Sequence, residues 1–469
     1  MLNPSPDIIS RFAKVVGEKY AITNPEQQTP YLVEMRDLFR GQTPVVLRPG
    51  SVAEVSEIMK IADETSTAIV PQGGNTGLVG GQIPHNGEVV LSLNRLDKIR
   101  EIDPVSNTIT CEAGVTLMRT REAAAAVDRL YPQLLPSEGT CTIGGNLSTN
   151  AGGTAALAHG IARSHALGLE VVLADGRVLN NLNKLKKDNT GYDLRNLFIG
   201  AEGTLGIITA AVLRLVPRPR SIETAWAAVP SPQAAVDLLS LASQRTAGGV
   251  TSFELMTRGG IDVVIKHSAG TRDPLEKVYP WYVLIELSSQ LESGLREVME
   301  NILGEGMERG LVLDATLCDT VEQATAFWRI REMFGEVQRH EGGSIKHDVS
   351  VPVTNIPAFI EEANAAVVAL VPGARPLPFG HVGDGNIHYN VAQPVGADKA
   401  EYLKRWDDVN KVVFDIVLKY GGSISAEHGV GVMKRDLLPK IKDPVAYDLM
   451  RTLKRTLDPK GILNPGKVL

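Results

Sequence analysis

Three glycine-rich clusters constrain the fold of this chain more than any other feature of its sequence. They run Pro71–Gly81, Pro136–Gly153 and Gly200–Ile208, and each interleaves glycine with polar residues. Glycine lets backbone N–H groups converge on an anion, and hydroxyl groups add donors. The pattern is neither G-x-G-x-x-G nor a Walker loop, which argues against Rossmann and nucleoside-triphosphatase folds. One cluster is usually only a turn, but three together predict a site for a large cofactor carrying pyrophosphate.

Composition excludes several classes of protein. The chain has 469 residues, which predicts two or three domains, and its 43% hydrophobic and 22% charged residues are those of a soluble globular protein. The formal net charge of -6 provides no basic field for nucleic acid or an anionic membrane. Cys111, Cys141 and Cys318 form no C-x-x-C, so neither a disulfide framework nor a cysteine zinc site is expected.

The N-terminal residues bear on localisation. MLNPSPDIISRFAKVV has no long apolar region and includes Asp7, which is not the pattern of a signal peptide or an organelle presequence. No run approaches the ~18 apolar residues of a membrane helix. These observations predict a cytoplasmic protein without a transmembrane segment.

The pattern of the chain changes near residue 220. A strand is stopped there by Pro217 and Pro219, which predicts a domain boundary. Beyond it, strand-like segments alternate with long amphipathic helices, and this predicts an open sheet covered by helices. The predicted helices lie near 231–243, 291–309, 320–341, 354–369 and 398–420.

Two polar motifs follow in this second region. HVGDGNIH contains His381 and His388, and the later AEHGVG contains Glu427 and His428. Two imidazoles and one carboxylate are the ligand set of a catalytic zinc with an open position. The alternative is that the glycines shape a turn and the histidines pack as ordinary side chains. The residues alone do not decide whether the two motifs meet.

Two cations in the second region are also candidates. Arg331 lies on a helix of alternating charge, where the simplest interpretation is a solvated face. Lys346 lies in the apolar strand-like segment SIKHDVSV, where a buried cation needs a partner.

The glycine clusters, their order and the stretch KKDNTGYDLRNLFIGAEGTLGIIT resemble the FAD-binding domain of the vanillyl-alcohol oxidase family. The resemblance extends over about residues 35–469 and is closest to the D-2-hydroxyglutarate and D-lactate dehydrogenase branch. It implies an α+β fold with a two-part, PCMH-type FAD-binding domain at 1–220. A substrate domain at 221–425 would have an antiparallel sheet covered by helices, and 426–469 would return to the FAD domain.

The resemblance also implies which residues bind FAD. Those near the pyrophosphate would be Pro71, Gly73, Gly74, Asn75, Thr76 and Gly77. Those along the ribityl chain and isoalloxazine would be Pro136, Gly139, Thr140, Gly144, Gly145 and Asn150. Those near the adenine half or the flavin edge would be Glu202, Gly203, Ile208 and, from the tail, Asn464. Some relatives bind the flavin covalently through a histidine where this chain has Asn75, so non-covalent FAD is expected.

In the same branch, H-x-G-D-G-N-x-H and E-H-G-x-G form a metal site. The implied ligands are His381, His388 and Glu427, with Zn²⁺ as the expected cation and Mn²⁺ or Fe²⁺ as alternatives. His428 would be the general base that takes the substrate's hydroxyl proton. The residues implied to bind substrate are Arg331, Lys346 and Asn390.

The implied activity is oxidation of a D-2-hydroxy acid to the 2-oxo acid, with hydride transfer to flavin N5 and metal assistance. Gly335 stands where hydroxyglutarate enzymes have threonine, so D-malate and D-lactate remain open beside D-2-hydroxyglutarate. No nicotinamide fingerprint is present, which favours a protein or quinone acceptor such as an electron-transfer flavoprotein. A homodimer is expected. The alternatives are a metal-free FAD alcohol oxidase and the flavin subunit of a glycolate or lactate oxidase complex.

Overall fold

The structure, a computed structural model, describes residues 4–246 and 248–469. Two compact units divide these residues. The first comprises 4–153, 160–218 and 427–469, and the second comprises Thr154–His159 and Pro219–Ala426. None of the described helices combines the length and the apolarity needed to cross a lipid bilayer.

The helices are, in chain order, α1 (Pro6–Val16), α2 (Pro25–Leu32), α3 (Val52–Thr65), α4 (Leu117–Ala126), α5 (Ile143–Thr149), α6 (Ala156–His159), α7 (Ala162–His165), α8 (Arg195–Phe198), α9 (Pro232–Thr246), α10 (Arg258–His267), α11 (Leu295–Glu308), α12 (Val321–Val337), α13 (Ile356–Leu370), α14 (Lys399–Leu403), α15 (Trp406–Lys419), α16 (Leu438–Ile441) and α17 (Pro444–Leu457). Short 3₁₀ turns lie at Glu18–Tyr20, Gln338–Glu341, Val353–Asn355, Val382–Asp384 and Arg435–Leu437.

The strands are β1 (Ala21–Ile22), β2 (Val46–Leu47), β3 (Ile69–Gln72), β4 (Val89–Ser92), β5 (Ile99–Asp103), β6 (Thr108–Glu112), β7 (Arg129–Leu130), β8 (Ala166–Val172), β9 (Val178–Asn181), β10 (Ile207–Arg214), β11 (Val216–Pro217), β12 (Ser221–Val229), β13 (Val250–Thr257), β14 (Trp281–Ser289), β15 (Asp314–Leu317), β16 (Ser344–Ser350), β17 (Arg375–His381) and β18 (Asn386–Ala392).

The first unit contains two main sheets. One has the order β1-β2-β4-β3, with β4 parallel to both β2 and β3. The other is antiparallel in the order β5-β6-β10-β8-β9. Helix α3 covers the first sheet and is capped by Ser51, whose hydroxyl accepts from the N–H of Glu54. Its apolar residues Val55, Ile58 and Met59 are buried, which anchors the strand that leads into the first glycine cluster.

The C-terminal segment belongs to the first unit. The N–H of Ile69 donates to the carbonyl of Ile462 at 2.8 Å, and the N–H of Asn464 donates to the carbonyl of Ile69 at 2.8 Å. This parallel contact adds the chain end to the edge strand β3. Ile462 and Leu463 are buried in the same apolar cluster as α3, so the tail is part of this unit's core.

The second unit is built on one antiparallel sheet in the order β15-β12-β14-β13-β17-β18-β16. Helices α10 and α12 cover one face, where Trp226, Tyr282, Phe334 and Phe379 share an apolar cluster. Helices α13 and α15 contact the sheet from the other face, through side chains that alternate with the first set along each strand. The predicted α+β class, with an antiparallel sheet covered by helices, is confirmed.

One segment departs from the predicted domain limits. Thr154–His159 falls within the predicted first domain, 1–220, but it packs with the second unit. The cause is helix α6, which lies against β13, where the hydroxyl of Ser252 donates to the carbonyl of Thr154 at 2.9 Å. A contact between residues 98 positions apart has no signature in the local sequence.

Candidate flavin and metal sites

The first two glycine clusters of the first unit pack against each other. A Cβ on Gly74 would overlap the backbone carbonyl of Thr140, and one on Gly73 would overlap the hydroxyl of Thr142. These two glycines are therefore required by the close approach of one loop to the other. Gly139 differs, because a Cβ there would meet nothing within 4 Å, and both Gly139 and Thr140 are exposed. The second cluster thus presents open backbone at Gly139.

Asn75 occupies the left-handed region with φ 55°. Its amide nitrogen donates to the carbonyls of Pro30 and Val33, both at 2.9 Å, and its amide oxygen accepts from Gln82 at 3.1 Å. The side chain of Asn75 thus stabilises the loop of the first glycine cluster through these hydrogen bonds. Only the backbone of Asn75 remains for the pyrophosphate contact predicted at this position.

The third cluster supplies a buried carboxylate. Glu202 is 8% exposed and accepts from the N–H groups of Val430 at 2.7 Å and Gly431 at 2.9 Å. Burial raises the pKa of Glu202 above its usual value, and the two N–H groups act in the opposite direction. A Cβ on Gly429 would lie 2.6 Å from the same carboxylate. Glu202 therefore fastens the C-terminal segment to the glycine clusters.

Asn464 joins two of these clusters. Its amide nitrogen donates to the carbonyl of Gly81 at 2.9 Å and to that of Glu202 at 2.7 Å. Its amide oxygen is buried and has no hydrogen-bond donor among residues 4–246 and 248–469. A buried oxygen of this kind is normally satisfied by a donor from a bound molecule or water. Together with the exposed backbone at Gly139, this unsatisfied oxygen fits a cofactor that brings its own donors.

The remaining predicted flavin contacts have local structural roles. A Cβ on Gly203 would lie 2.5 Å from Pro71, and the N–H of Gly144 donates to the carbonyl of Ala113 at 2.8 Å. Ile208 is buried in the apolar cluster of the five-stranded sheet, so the flavin contact implied for its side chain stays a prediction. The other residues of this set are Thr76, Gly77, Pro136, Gly145 and Asn150.

The second unit carries a polar set on the face of its sheet that α12 covers. Antiparallel register pairs Glu254 with His381 on β13 and β17. It pairs Asp348 with His388 on β16 and β18, and Lys346 with Asn390 two residues away. Because residues two apart on a strand share a face, the local fold collects these side chains from four adjacent strands.

His381 and Arg331 meet at one buried carboxylate. Glu254 is 0% exposed, His381 is 7% exposed and Arg331 is 6% exposed. The Nδ1 atom of His381 lies 2.6 Å from Oε1 of Glu254, and Nε of Arg331 donates to Oε2 at 2.7 Å. Arg331 also lies over the ring of Phe379, 4.8 Å from its centroid. The interpretation of Arg331 as part of a solvated helix face is therefore wrong, because the sheet buries this side of α12.

The charges around Glu254 determine its protonation. Burial alone raises the pKa of a carboxyl group, but His381 and Arg331 outweigh it and bring the pKa of Glu254 to about 2. The carboxylate is thus ionised, and it holds both of its partners by charge-assisted hydrogen bonds.

His388 lies beside His381. Their rings are edge to face with centroids 5.5 Å apart, and the Nδ1 atom of His388 is 3.9 Å from Oδ1 of Asp348. The amide of Asn386 donates to the same oxygen at 3.0 Å. Two imidazoles, each beside a carboxylate, lie together within the second unit.

Glu427 and His428 begin the C-terminal part of the first unit. The preceding residues run along β16, where Ser350 and Ser423 exchange backbone hydrogen bonds and the N–H of Ala426 donates to the carbonyl of Asp348 at 3.3 Å. The chain leaves the second unit immediately after Ala426. Glu427 then accepts from the N–H of Gly153 at 2.8 Å.

The predicted substrate residues have defined orientations. Lys346 is partly buried, and its ammonium group donates to the carbonyl of Gly335 at 2.6 Å. The amide nitrogen of Asn390 donates to Oε1 of Gln338 at 2.8 Å. A Cβ added at Gly335 would meet nothing within 4 Å, so the helix leaves open space there.

Sequence reasoning missed Glu254, Asp348 and Gln338 as members of this set. A signal for Glu254 was present, because it lies between Phe253 and Leu255 in a strand of buried residues. A carboxylate in such a strand requires a cationic partner. The sequence does not reveal that Arg331, 77 positions away, is that partner.

The fold and the two polar regions define a two-unit flavoprotein. Solved structures with the same fold include p-cresol methylhydroxylase with substrate bound, with a TM-score of 0.76 at 18% identity over 98% of this chain and 96% of that one. Another is 4-ethylphenol oxidase from Gulosibacter chungangensis, with a TM-score of 0.72 at 18% identity over the same shares. These likenesses confirm the PCMH-type fold.

Sequence comparison identifies the family. Residues 43–181 match the FAD binding domain and residues 218–468 match the C-terminal domain of FAD linked oxidases. The chain therefore belongs to the FAD-linked oxidases and is an FAD-dependent oxidoreductase, as the resemblance implied.

Several relatives that match nearly the whole chain are named D-2-hydroxyglutarate dehydrogenase. The chain is 38% identical to D-2-hydroxyglutarate dehydrogenase, mitochondrial, of Arabidopsis thaliana, over 98% of this chain and 81% of the relative. It is 38% identical to the Rattus norvegicus protein of that name, over 96% and 82%. It is 37% identical to D-2-hydroxyglutarate dehydrogenase of Xanthomonas citri pv. viticola, over 92% and 91%.

The predicted cytoplasmic localisation is contradicted by these names, because the plant and rat relatives are named as mitochondrial proteins. The prediction relied on the lack of a targeting pattern in the first residues. A missing pattern specifies no compartment.

Proposed function

We propose that this enzyme oxidises a D-2-hydroxy acid to the 2-oxo acid, using non-covalent FAD and a divalent cation bound by His381, His388 and Glu427. The observation that carries the proposal is the buried arrangement of His381 and Arg331 on one carboxylate, Glu254. It combines an imidazole suited to a cation with a guanidinium suited to a carboxylate. A 2-hydroxy acid offers a hydroxyl and a carboxylate on adjacent carbons, so it matches both.

The donor set supports a cation. Neutral imidazoles and a carboxylate are the ligands of catalytic Zn²⁺, with Mn²⁺ and Fe²⁺ as alternatives. The two histidine rings are neighbours on one sheet face, and Glu427 follows directly after Ala426, which is hydrogen-bonded to the strand of Asp348. A bound cation would lower the pKa of a coordinated hydroxyl group.

The cations of the second unit support an acidic substrate. Nε of Arg331 donates to Glu254, and we assign its two Nη groups to the substrate, because a guanidinium fork suits a carboxylate. We assign Lys346 to a substrate carboxylate and Asn390 to a polar substrate oxygen. These roles disfavour neutral alcohols as substrates, because such a molecule brings no carboxylate to accept from the guanidinium of Arg331.

We assign the proton transfer to His428. An imidazole titrates near neutral pH, which suits a base that accepts a hydroxyl proton. His428 is adjacent in sequence to the proposed ligand Glu427, so the same loop would carry both functions. FAD, when bound, supplies the acceptor for the hydride from the substrate carbon.

The names of the relatives support D-2-hydroxyglutarate as a substrate, since the chain is 36–39% identical to proteins named D-2-hydroxyglutarate dehydrogenase. Gly335 leaves open space at the helix, so D-malate and D-lactate remain candidates. A protein or quinone acceptor, such as an electron-transfer flavoprotein, and a homodimer are further predictions.

The test is anaerobic bleaching of the flavin by a panel of D- and L-2-hydroxy acids, with metal analysis of the same sample. We expect bleaching by D-acids only, loss of bleaching after chelation, and recovery with Zn²⁺ or Mn²⁺. Unimpaired bleaching in metal-free protein would favour the metal-free alcohol oxidase. Lack of bleaching by every acid in metal-replete protein would favour a flavin subunit of a larger complex.

Two variants test the assigned roles. Glu427→Ala should lower the bound metal while FAD stays in place, and unchanged metal content would remove Glu427 from the ligand set. His428→Ala should retain both FAD and metal yet lose flavin reduction. A wild-type rate of reduction in His428→Ala would show that another group is the base.

A further inference from the structure

We infer that Glu254 is a positioning residue that couples the cation site to the guanidinium that binds substrate. This inference rests on the proposed function, because it assumes that His381 is a metal ligand and that Arg331 binds a substrate carboxylate. It adds a residue that lies in neither sequence motif. Glu254 itself touches neither the reacting atoms nor the cation.

The first step concerns His381. Oε1 of Glu254 lies 2.6 Å from Nδ1 of the imidazole, which is hydrogen-bonding distance, so Glu254 holds this side of the ring. We assign the other ring nitrogen, Nε2, to the cation. A carboxylate behind a ligating histidine fixes both the tautomer and the ring orientation.

The second step concerns Arg331. Oε2 of Glu254 accepts from Nε at 2.7 Å, and the ring of Phe379 lies 4.8 Å below the guanidinium carbon. One contact fixes the edge of the guanidinium and the other fixes its plane. The two Nη groups are therefore directed by Glu254 before substrate arrives, which lowers the entropic cost of binding.

The third step is that one carboxylate serves both partners, one oxygen for each. Glu254 is 0% exposed, so water does not replace a partner that moves away. A shift of the imidazole on binding a cation therefore changes the carboxylate that holds Arg331. Cation and substrate carboxylate are expected to bind with positive coupling through this group.

A purely structural ion pair is the competing explanation, and a matched control separates the two. Glu286 is another glutamate of the same sheet, half-buried on β14, and its carboxylate accepts from Nε1 of Trp328 at 2.9 Å. Glu286→Gln removes a carboxyl group from the same sheet without altering a group that contacts His381 or Arg331.

The experiment compares wild type, Glu254→Gln, Glu254→Asp and Glu286→Gln as FAD-loaded protein. Zn²⁺ affinity is measured by competition with a chromophoric chelator, with and without D-2-hydroxyglutarate, and KM and kcat are measured separately. We expect Glu254→Gln to weaken Zn²⁺ binding by about 10- to 100-fold. It should also raise KM and reduce the tightening of Zn²⁺ by substrate, with FAD content unchanged.

Glu254→Asp keeps the charge but is shorter, so it should retain one partner and give an intermediate loss of coupling. It also keeps the test decisive if Glu254→Gln does not fold. Glu286→Gln should match wild type in Zn²⁺ affinity and coupling. If Glu254→Gln or Glu254→Asp matches wild type in both measurements, the positioning role is wrong. If wild type itself binds no Zn²⁺ stoichiometrically, the proposed function fails instead.

Discussion

Two buried glutamates, one in each unit, show how differently the two polar regions are built. Glu202 accepts from two backbone N–H groups of the C-terminal segment, and burial raises its pKa. Glu254 accepts from His381 and Arg331, and its pKa falls to about 2. Both residues are buried glutamates, so the formal charge of their hydrogen-bonding partners decides whether the pKa is raised or lowered.

The difference has a functional consequence. The region around Glu202 is assembled from backbone dipoles and glycines in close contact, which suits a large cofactor held by many weak donors. The region around Glu254 is assembled from full charges on rigid strands, which suits a small ion and a carboxylate. Single substitutions should therefore separate the binding of FAD from the binding of metal.

The largest effect is expected from His388→Ala. Loss of one imidazole should remove the cation and lower flavin reduction by about 10³-fold or more, because metal assistance contributes several kcal/mol. FAD content should not change. His340→Ala is the matched control, since His340 is an exposed histidine of the same unit stacked on His267. Metal analysis and anaerobic reduction check the prediction, and a metal-replete His388→Ala protein would contradict it.

Gly74→Ala is expected to have the reverse effect, which is loss of FAD with metal binding retained. The added Cβ would overlap the carbonyl of Thr140, so the two loops must part, at a cost of about 2–4 kcal/mol in stability. FAD retention should fall while the histidines still bind Zn²⁺. Gly304→Ala, on α11 of the second unit, is the control, because its Cβ meets nothing within 4 Å. Equal FAD content in the two variants would show that the glycine clusters do not determine cofactor binding.

Glu341 tests the rule that the charge of its partners decides the direction in which a carboxyl pKa shifts. This glutamate accepts from Lys266 at 2.7 Å, His267 at 2.6 Å and Arg375 at 2.8 Å, and these partners bring its pKa to about 2 from 4.5. Because the folded pKa is lowered, the stabilisation is fully present above pH 4.5 and is lost as pH falls toward 2. Glu341→Gln should therefore cost about 0.5–1 kcal/mol at pH 7 and less in acid.

Glu202→Gln should change the pH dependence of stability in the opposite sense to Glu341→Gln. The pKa of Glu202 is raised in the folded state, so its contribution is fully present below the unfolded pKa and declines as pH rises through the folded one. The variant should gain stability relative to wild type as pH increases from 4 to 8. Urea unfolding across this range checks both variants, and slopes of the same sign would contradict the rule.

The sequence predicted what depends on local pattern. The helices predicted near 231–243 and 354–369 follow from the pattern of neighbouring residues, and both are present as α9 and α13. The solvated face assigned to Arg331 was wrong because its partner, Glu254, comes from a distant strand. Charge alternation along a helix does not predict which of its turns packs against a sheet and becomes buried. Register pairs His381 with Glu254 only after β13 and β17 become neighbours, and no spacing rule encodes that order.

The smallest effect is expected from Gly335→Thr, which tests how far the charged region selects its substrate. The site on α12 has room, since a Cβ there meets nothing within 4 Å, and Lys346 donates to the carbonyl of the same residue. An added hydroxyl would offer a donor to the distal carboxylate of a dicarboxylic acid. We expect kcat/KM for D-2-hydroxyglutarate over D-lactate to rise about three- to tenfold, the size of one hydrogen bond. Gly335→Val, which adds similar volume without a hydroxyl, should not raise this ratio. An equal rise in both variants would mean that shape, and not the added donor, changes the preference.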